Sequence, residues 1–297
     1  MEPLLCRWIE SKIGTFIIVS DLEGGWGTHN NIRYLMGADG RNYCLKLFDN
    51  IKKWKVESIA YNELLNFESE LIPKYYGGFS YGNINAILIS RLKGQTLASR
   101  INEFDDSYKK SIFYESGKLS REIEDKNIDK ANWFGALNLD ISATYETASE
   151  YLKSKFYKHI AFLDVVDTDL AELYKKSFNL IDKIYIEEPP VLVNEDNTVR
   201  NWMVDSENRL TGIVDFEYLT WGIKAQTVSA VVLKDEYIID AYFKGYGVDR
   251  DVLSNIKYTN YLALLGISTI IYGKVNNIDK AVFLGNRLIA KYKGNKI

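Results

Sequence analysis

Residues 189–222 alternate short apolar runs with polar loops, and this pattern constrains the fold more than any other part of the chain. The apolar runs are residues 191–193, 202–204 and 210–214. Between the last two runs lie Asp205, Ser206 and Asn208, residue types that favour a tight turn. The pattern therefore predicts the order strand, loop, strand, turn, strand.

Three polar side chains lie at the ends of these predicted strands. Asp196 follows the first run, Asn201 precedes the second and Asp215 follows the third. If the last two strands pair as a hairpin, Asn201 and Asp215 lie at the same end of it. Their oxygens could then hold Mg²⁺, which takes few protein ligands and keeps positions for water and phosphate. Asp196 could accept a proton from an attacking hydroxyl, which completes the set of groups that kinases use.

The composition argues against several other classes of protein. The chain has 297 residues, 46% of them hydrophobic, and a net charge of −3, which favours one large or two modest cores and not a nucleic-acid binder. It has no apolar run of about 18 residues, so no membrane span is expected. Residues 1–12 are too charged for a signal peptide, and Cys6 and Cys44 form no metal-type pair, so we expect a reduced, cytoplasmic setting. The two histidines, His29 and His159, argue against a zinc site or a histidine dyad.

The polar residues of the 189–222 segment resemble the catalytic and metal-binding segments of the aminoglycoside phosphotransferase and choline kinase group. The matching residues are Asp196, Asn201, Asp215 and Glu217. In most members the first segment begins His-Gly-Asp, whereas this chain has Asn194 and Glu195 before Asp196. An asparagine can still hydrogen-bond the backbone, so Asn194 could do the structural work of that histidine.

The resemblance implies an α+β, bilobal, protein-kinase-like fold. A small N-terminal lobe with an antiparallel sheet and one helix would comprise residues 1–91 and bind the nucleotide. A larger, mainly helical C-terminal lobe would comprise residues 92–297, carry the catalytic residues and bind the acceptor. The sequence agrees with this division, since residues 14–48 have the pattern of a β-meander. Amphipathic helices are predicted near residues 97–103, 107–126, 143–165 and 168–184.

Two features of the predicted N-terminal lobe would bind the phosphates of the nucleotide. A glycine-bearing turn includes Gly25 and Gly27, and its backbone N–H groups could lie along a triphosphate. The alternative is that these glycines only permit a tight turn. Lys46 lies between apolar neighbours in a predicted strand, where it could simply face solvent. The resemblance implies instead that Lys46 pairs with the phosphates and with a helix glutamate.

That glutamate should follow shortly after Lys46. Residues 54–67 have apolar side chains at helical spacing and contain two candidates, Glu57 and Glu63. Glu57 fits the family pattern, in which a tyrosine and a leucine follow the glutamate, because Tyr61 and Leu64 are present here.

A lobe connector is indicated by the apolar strand that ends near Ser90, followed by Gly94 and Leu97. The resemblance implies that the backbone carbonyl of Ser90 and the backbone N–H of Leu92 hold the adenine edge.

The expected function is an ATP- and Mg²⁺-dependent small-molecule kinase that phosphorylates a hydroxyl of a small, cationic acceptor such as an aminoglycoside or an amino alcohol. Glu217 is a candidate for binding the cationic group, whereas Asp235, Glu236 and Asp240 are better explained as solvated helix charges. The altered residues Asn194 and Glu195 leave an alternative, a kinase-fold module that binds a nucleotide or a partner without transfer. A protein kinase is disfavoured, because its catalytic and activation-segment motifs are missing.

Overall fold

The computed structural model describes residues 1–22, 30–65, 67, 69–127, 131–137, 144–229 and 231–294. These residues cluster into two compact units. Unit 1 consists mainly of Met1–Phe104 and Thr198–Leu219. Unit 2 consists mainly of Asp105–Ala136, Asp140–Asn197 and Thr220–Ile297.

The strands and helices are numbered here in chain order. The strands are β1 Phe16–Leu22, β2 Asn30–Gly37, β3 Asn42–Phe48, β4 Tyr75–Tyr81, β5 Ile84–Ser90, β6 Gln95–Thr96, β7 Gly135–Ala136, β8 Val191–Asn194, β9 Trp202–Val204, β10 Leu210–Ile213 and β11 Leu219–Gly222. The helices are α1 Pro3–Ile13, α2 Ile51–Glu63, α3 Leu97–Arg100, α4 Asp106–Asn127, α5 Ala148–Tyr157, α6 Thr168–Ile184, α7 Lys224–Ser229, α8 Glu236–Tyr246, α9 Ile256–Val275 and α10 Asp279–Gly294. Short 3-10 helices occur at Ile101–Glu103, Ile160–Val165 and Arg250–Ser254.

Unit 1 contains an antiparallel sheet with the strand order β1-β2-β3-β5-β4. The predicted β-meander is present, and Gly40 adopts a positive φ of 74° in the turn between β2 and β3. Strand β3 lies inside the sheet, because it pairs with β2 on one side and β5 on the other. Both edges of β3 are therefore hydrogen-bonded within the sheet.

Helix α1 was not predicted from the sequence. Its carboxylate cap is Glu2, which accepts a hydrogen bond from the N–H of Leu5, and its apolar residues follow at four-residue spacing. Leu5, Ile9 and Ile13 pack with Leu35 and other residues of the sheet into one buried cluster. The helix therefore covers a face of the sheet that the β-meander alone would leave in water.

A second, small sheet in unit 1 has the order β10-β9-β6. Its hairpin β9–β10 is the one predicted from residues 202–214, and Ile213 lies opposite Trp202. The backbone oxygen of Leu71 accepts the N–H of Ile213, which attaches the hairpin to the segment before β4. The hairpin therefore belongs structurally to unit 1, although it follows unit 2 residues in the chain.

Unit 2 is mainly helical, as predicted. Helix α4 packs on α8, and α9 packs on α6 and α10 around a core that includes Phe156, Tyr174 and Leu264. Helix α6 begins where it was predicted, with the Asp167 carboxylate accepting the N–H of Leu170. No helix in the described part of the chain is long and apolar enough to cross a membrane.

Three of the predicted helices differ from the structure. The one over 97–103 is α3, Leu97–Arg100, followed by a separate 3-10 helix at Ile101–Glu103. The prediction of one helix over 143–165 is wrong: α5 starts after Thr147, whose hydroxyl forms a capping box with Glu150, and a separate 3-10 helix occupies Ile160–Val165. The predicted helix 54–67 is instead α2, Ile51–Glu63, because the Asn50 side chain caps it earlier.

Candidate active site

Lys46 is the centre of a buried ion cluster in unit 1. Its side chain is largely shielded by the sheet, and the residue is 6% exposed. Its Nζ donates to Oε2 of Glu57 at 2.6 Å and to Oδ1 of Asp215 at 3.0 Å. Burial alone would lower the pKa of this amine, but the two carboxylates raise it above its ordinary value. The lysine therefore stays charged at neutral pH. It is buried, so the alternative interpretation, a lysine that faces solvent, is wrong.

Helix α2 supplies the glutamate of this cluster. Glu57 is 1% exposed and contacts Lys46, whereas Glu63 ends α2 and is only half-buried. The ring of Tyr61, one turn after Glu57, stacks on Tyr75 and meets Phe216 edge-on at 5.5 Å. These aromatic contacts fix the register of α2 and so direct Glu57 towards Lys46.

Asp215 and Asn201 lie at the same end of the β9–β10 hairpin. The backbone oxygen of Asn201 accepts the N–H of Val214 at 2.8 Å. This bond holds Asn201, just before β9 begins, close to Asp215, just after β10 ends. Asp215 has a φ of 68°, a left-handed conformation that is uncommon for residues other than glycine. Such strain persists where the surroundings hold it and clusters at functional sites.

Glu217 extends the same group of carboxylates. Its Oε1 accepts from Nζ of Lys53 at 3.1 Å, and oxygens of Glu57, Asp215 and Glu217 lie within 4.8 Å of one another. Its Oε2 is buried and has no hydrogen-bond partner among the described residues. A buried carboxylate oxygen without a donor is costly unless a cation approaches it.

Asp196 lies in a tight turn of unit 2 that directly follows β8. The N–H of Asn197 donates to the oxygen of Asn194, so Glu195 and Asp196 are the two central residues of the turn. The side chain of Asn194 accepts the N–H of Asp196 at 3.1 Å. The side chain of Asn194 therefore accepts a backbone hydrogen bond of the turn, a contact that the sequence analysis considered possible.

The family of the chain follows from its sequence. The model of the phosphotransferase enzyme family, APH, matches residues 22–254, most of the chain. The chain belongs to this phosphotransferase family. This confirms the predicted class of enzyme, a phosphotransferase with an alcohol group as acceptor, and supports a small-molecule kinase. No curated protein matches the chain in sequence.

Solved structures share the fold at low sequence identity. A thermostable mutant of aminoglycoside phosphotransferase APH(4)-Ia, in ternary complex with AMP-PNP and hygromycin B, has a TM-score of 0.70 at 14% identity, with 98% of each chain covered. A Thermobifida fusca protein assigned as a fructosamine-3-kinase has a TM-score of 0.66 at 12% identity, with 97% of this chain and 98% of that chain covered. ADP-bound APH(2'')-Ib has a TM-score of 0.59 at 16% identity, with 98% of this chain and 99% of that chain covered. These likenesses confirm the predicted α+β, kinase-like fold.

The connector of this phosphotransferase has a clear structural role. Ser90 ends β5 and binds Lys74 twice, through its N–H and through Oγ, at 2.8 Å each. Gly94 has a φ of 93°, and a Cβ there would lie 1.8 Å from the backbone oxygen of Val204. Residues 90–93, which include Leu92, line an open cavity of about 1030 Å³ in unit 1. Gly25 and Gly27 lie outside the described residues.

The residues that hold the Asp196 turn in this phosphotransferase were not predicted from the sequence. Asn197 is buried, and its Nδ2 donates to Oγ of Ser120 on α4 at 3.1 Å. The hydroxyl of Tyr242 on α8 donates to the same oxygen at 3.0 Å. Glu195 binds side chains of α5 and α7. These partners lie 31 to 77 positions from the turn in sequence, so no local pattern connects them to it.

Proposed function

We propose that this protein transfers the γ-phosphate of ATP, with Mg²⁺, to a hydroxyl group of a small, cationic acceptor. The observation that carries the proposal is the buried contact of Lys46 with both Glu57 and Asp215. A lysine held between two carboxylates stays charged and is fixed in position, which suits it to steady the phosphates of a nucleotide. A purely structural ion pair would have no need of a second carboxylate in a strained backbone conformation.

The residues present fit a magnesium ion. Asp215 and Asn201 supply a carboxylate and an amide at one end of a hairpin, and oxygen ligands of this kind suit Mg²⁺. Oε2 of Glu217, buried with no hydrogen-bond partner among the described residues, is a further oxygen that a cation would satisfy. When bound, the ion would neutralise charge on the phosphates. This supports assigning Glu217 to the metal side of the site, in place of its predicted contact with the acceptor.

The proposed base is Asp196. The turn from Asn194 to Asn197 holds its backbone, so its carboxylate can be aimed at the acceptor hydroxyl and take up the proton as the phosphoryl group is transferred. Because phosphoryl transfer has a loose transition state, positioning and charge stabilisation by Lys46 and Asp215 do most of the work. The backbone of Ser90 and Leu92 is proposed to hold the adenine.

The names of two related structures support a proposal for the acceptor class. APH(4)-Ia is seen with hygromycin B, and the Thermobifida fusca protein is assigned as a fructosamine-3-kinase. An aminoglycoside and a fructosamine each combine an amine with hydroxyl-bearing sugars. We therefore propose an amino sugar or amino alcohol as the acceptor, and antibiotic modification as one physiological role.

The decisive experiment measures ADP release from Mg·ATP with a panel of acceptors. The panel contains aminoglycosides, amino alcohols, fructosamines and, as a control, neutral polyols of similar size. We expect acceptor-dependent ADP release with at least one amine-bearing compound, its loss in Asp196→Asn, and retention of Mg·ATP binding in that variant. Tight nucleotide binding without transfer to any member of the panel would favour the alternative, a module that binds without transfer.

A further inference from the structure

Glu195, the residue directly before Asp196, accepts hydrogen bonds from three side chains of unit 2. Nζ of Lys155 donates to Oε1 of Glu195 at 2.6 Å, and the hydroxyl of Tyr151 donates to the same oxygen at 3.1 Å. Nε2 of Gln226 donates to it as well. Three donors from two helices on one oxygen are far more than a surface glutamate in a turn ordinarily has.

The donors are themselves held in place. The side-chain oxygen of Gln226 accepts the N–H of Ile223 at 2.8 Å, which leaves its amide nitrogen to face Glu195 and Tyr151. The ring of Tyr151 stacks on Phe134 at 6.0 Å. Lys155 follows Tyr151 by one helical turn on α5, and its Nζ lies 5.9 Å from the centre of that ring. The three donor side chains are therefore oriented by contacts of their own, and Glu195 accepts a hydrogen bond from each of them.

We propose that Lys155, with Tyr151 and Gln226, positions the catalytic Asp196 by clamping Glu195. The four residues Glu195, Tyr151, Lys155 and Gln226 are called the Glu195 clamp below. The inference rests on the proposed function, since it assigns positioning residues to the base named there.

The clamp acts on Asp196 through the turn. Glu195 and Asp196 are consecutive central residues of a turn whose ends are joined by the hydrogen bond from Asn197 to Asn194. Fixing the side chain of Glu195 limits the backbone rotations of the turn, and these rotations set the direction of the next Cα–Cβ bond. Lys155 also supplies the positive charge that pairs with the Glu195 carboxylate. A small displacement of a catalytic group is enough to slow a reaction substantially.

The test compares Lys155→Met with Lys153→Met, a matched control. Lys153 lies on the same helix and forms an ion pair with Asp182, away from the turn. For Lys155→Met we expect kcat to fall about 10-fold with the KM for Mg·ATP nearly unchanged, because only the base is misplaced. For Lys153→Met we expect kcat within about twofold of the parent. Lys155→Arg should retain most of the parent activity, since it keeps the charge.

A double variant separates positioning from general damage. In Glu195→Gly the group that the clamp holds is gone, so we expect kcat to fall about as far as in Lys155→Met, and the double variant to fall no further. Losses of kcat that add up in the double variant would overturn the clamp, as would no loss in Lys155→Met.

Amide hydrogen exchange tests the clamp without any acceptor. Peptides that contain residues 194–197 should exchange faster in Lys155→Met than in the parent or in Lys153→Met, at equal thermal stability. Unchanged exchange would contradict the clamp even if the parent showed no transfer. A parent without transfer but with faster exchange in Lys155→Met would contradict the proposed function and leave the clamp as a structural contact only, not a positioning device for catalysis.

Discussion

Nζ of Lys46 lies 2.6 Å from Oε2 of Glu57, and both side chains are buried in unit 1. A buried ion pair contributes little net stability on its own, because the cost of removing both charges from water offsets their attraction. Its value here is that it fixes the amine beside Asp215, in the geometry that the proposed reaction needs. We therefore expect the pair to matter more for activity than for folding.

Glu57→Gln should lower activity much more than Glu63→Gln. The first substitution keeps the shape of the side chain but removes the charge that positions Lys46, and we expect kcat/KM for Mg·ATP to fall at least about 10-fold. Glu63 lies at the end of the same helix and is half-buried, so its substitution should change kcat/KM by less than about twofold. Steady-state kinetics at several ATP concentrations measures both. Equal effects from the two variants would refute the assignment of Glu57.

Asp215→Asn and Asp215→Gly should separate strain from function. Asparagine tolerates the left-handed conformation and keeps the volume, but it loses the charge, so we expect the Mg²⁺ concentration for half-maximal activity to rise at least about 10-fold. Glycine also relieves the backbone strain, which costs about 1 kcal/mol. The Asp215→Gly variant should therefore unfold at a higher temperature than the Asp215→Asn variant. Titrations of activity with Mg²⁺ and thermal melts check the two expectations.

Asp205→Asn serves as the control for these variants. Asp205 binds the N–H groups of Glu207 and Arg209 within the hairpin turn. Its substitution should lower thermal stability while leaving the Mg²⁺ dependence as in the parent. A normal Mg²⁺ dependence in Asp215→Asn would exclude Asp215 as a metal ligand.

Local patterns were sufficient to predict the hairpin, because polar residues at strand ends indicated where Asn201 and Asp215 lie. The pairing of Lys46 with a helix glutamate was implied only by the family resemblance, since the local pattern also allowed a solvent-facing lysine. The side-chain partners of the Asp196 turn could not be predicted this way, because Tyr151 and Ser120 reach it from helices 44 and 77 positions away. Such contacts arise from helix packing, and single-sequence periodicity carries no information on which turn a helix faces.

Gly94 was identified in the sequence as part of the lobe connector, and the structure shows a steric reason for a glycine at this position. Gly94→Ala would place Cβ 1.8 Å from the backbone oxygen of Val204 and would also strain a φ of 93°. We expect the free energy of unfolding to fall by about 3 kcal/mol or more, measured by chemical denaturation. Gly82→Ala is the matched control, since Gly82 has a φ of 57° but nothing within 4 Å of the added Cβ. It should cost only about 1 kcal/mol, and similar losses in the two variants would contradict the steric explanation.

Glu124 should make the stability of the protein fall as the pH rises from about 4.5 to about 7. The residue is 1% exposed, and burial raises its pKa to about 7, although hydrogen bonds from Thr227 and Tyr246 favour the charged form. In the unfolded chain the same group ionises near pH 4.5, so between the two values the folded state binds more protons. Its contribution is therefore greatest below pH 4.5 and is lost as the pH approaches 7, a change on the order of 3 kcal/mol.

Glu124→Gln removes the titrating group but keeps a side chain that can still bond Thr227 and Tyr246. The difference in unfolding free energy between parent and variant, measured by denaturation at pH 5, 6, 7 and 8, should shift in favour of the variant as the pH rises to about 7, then level off. Glu122→Gln, two positions earlier on α4 and half-exposed, should follow the parent at every pH. A difference in unfolding free energy that stays constant with pH would contradict this expectation. It would mean that Glu124 ionises alike in the folded and unfolded chains and that burial does not keep it neutral.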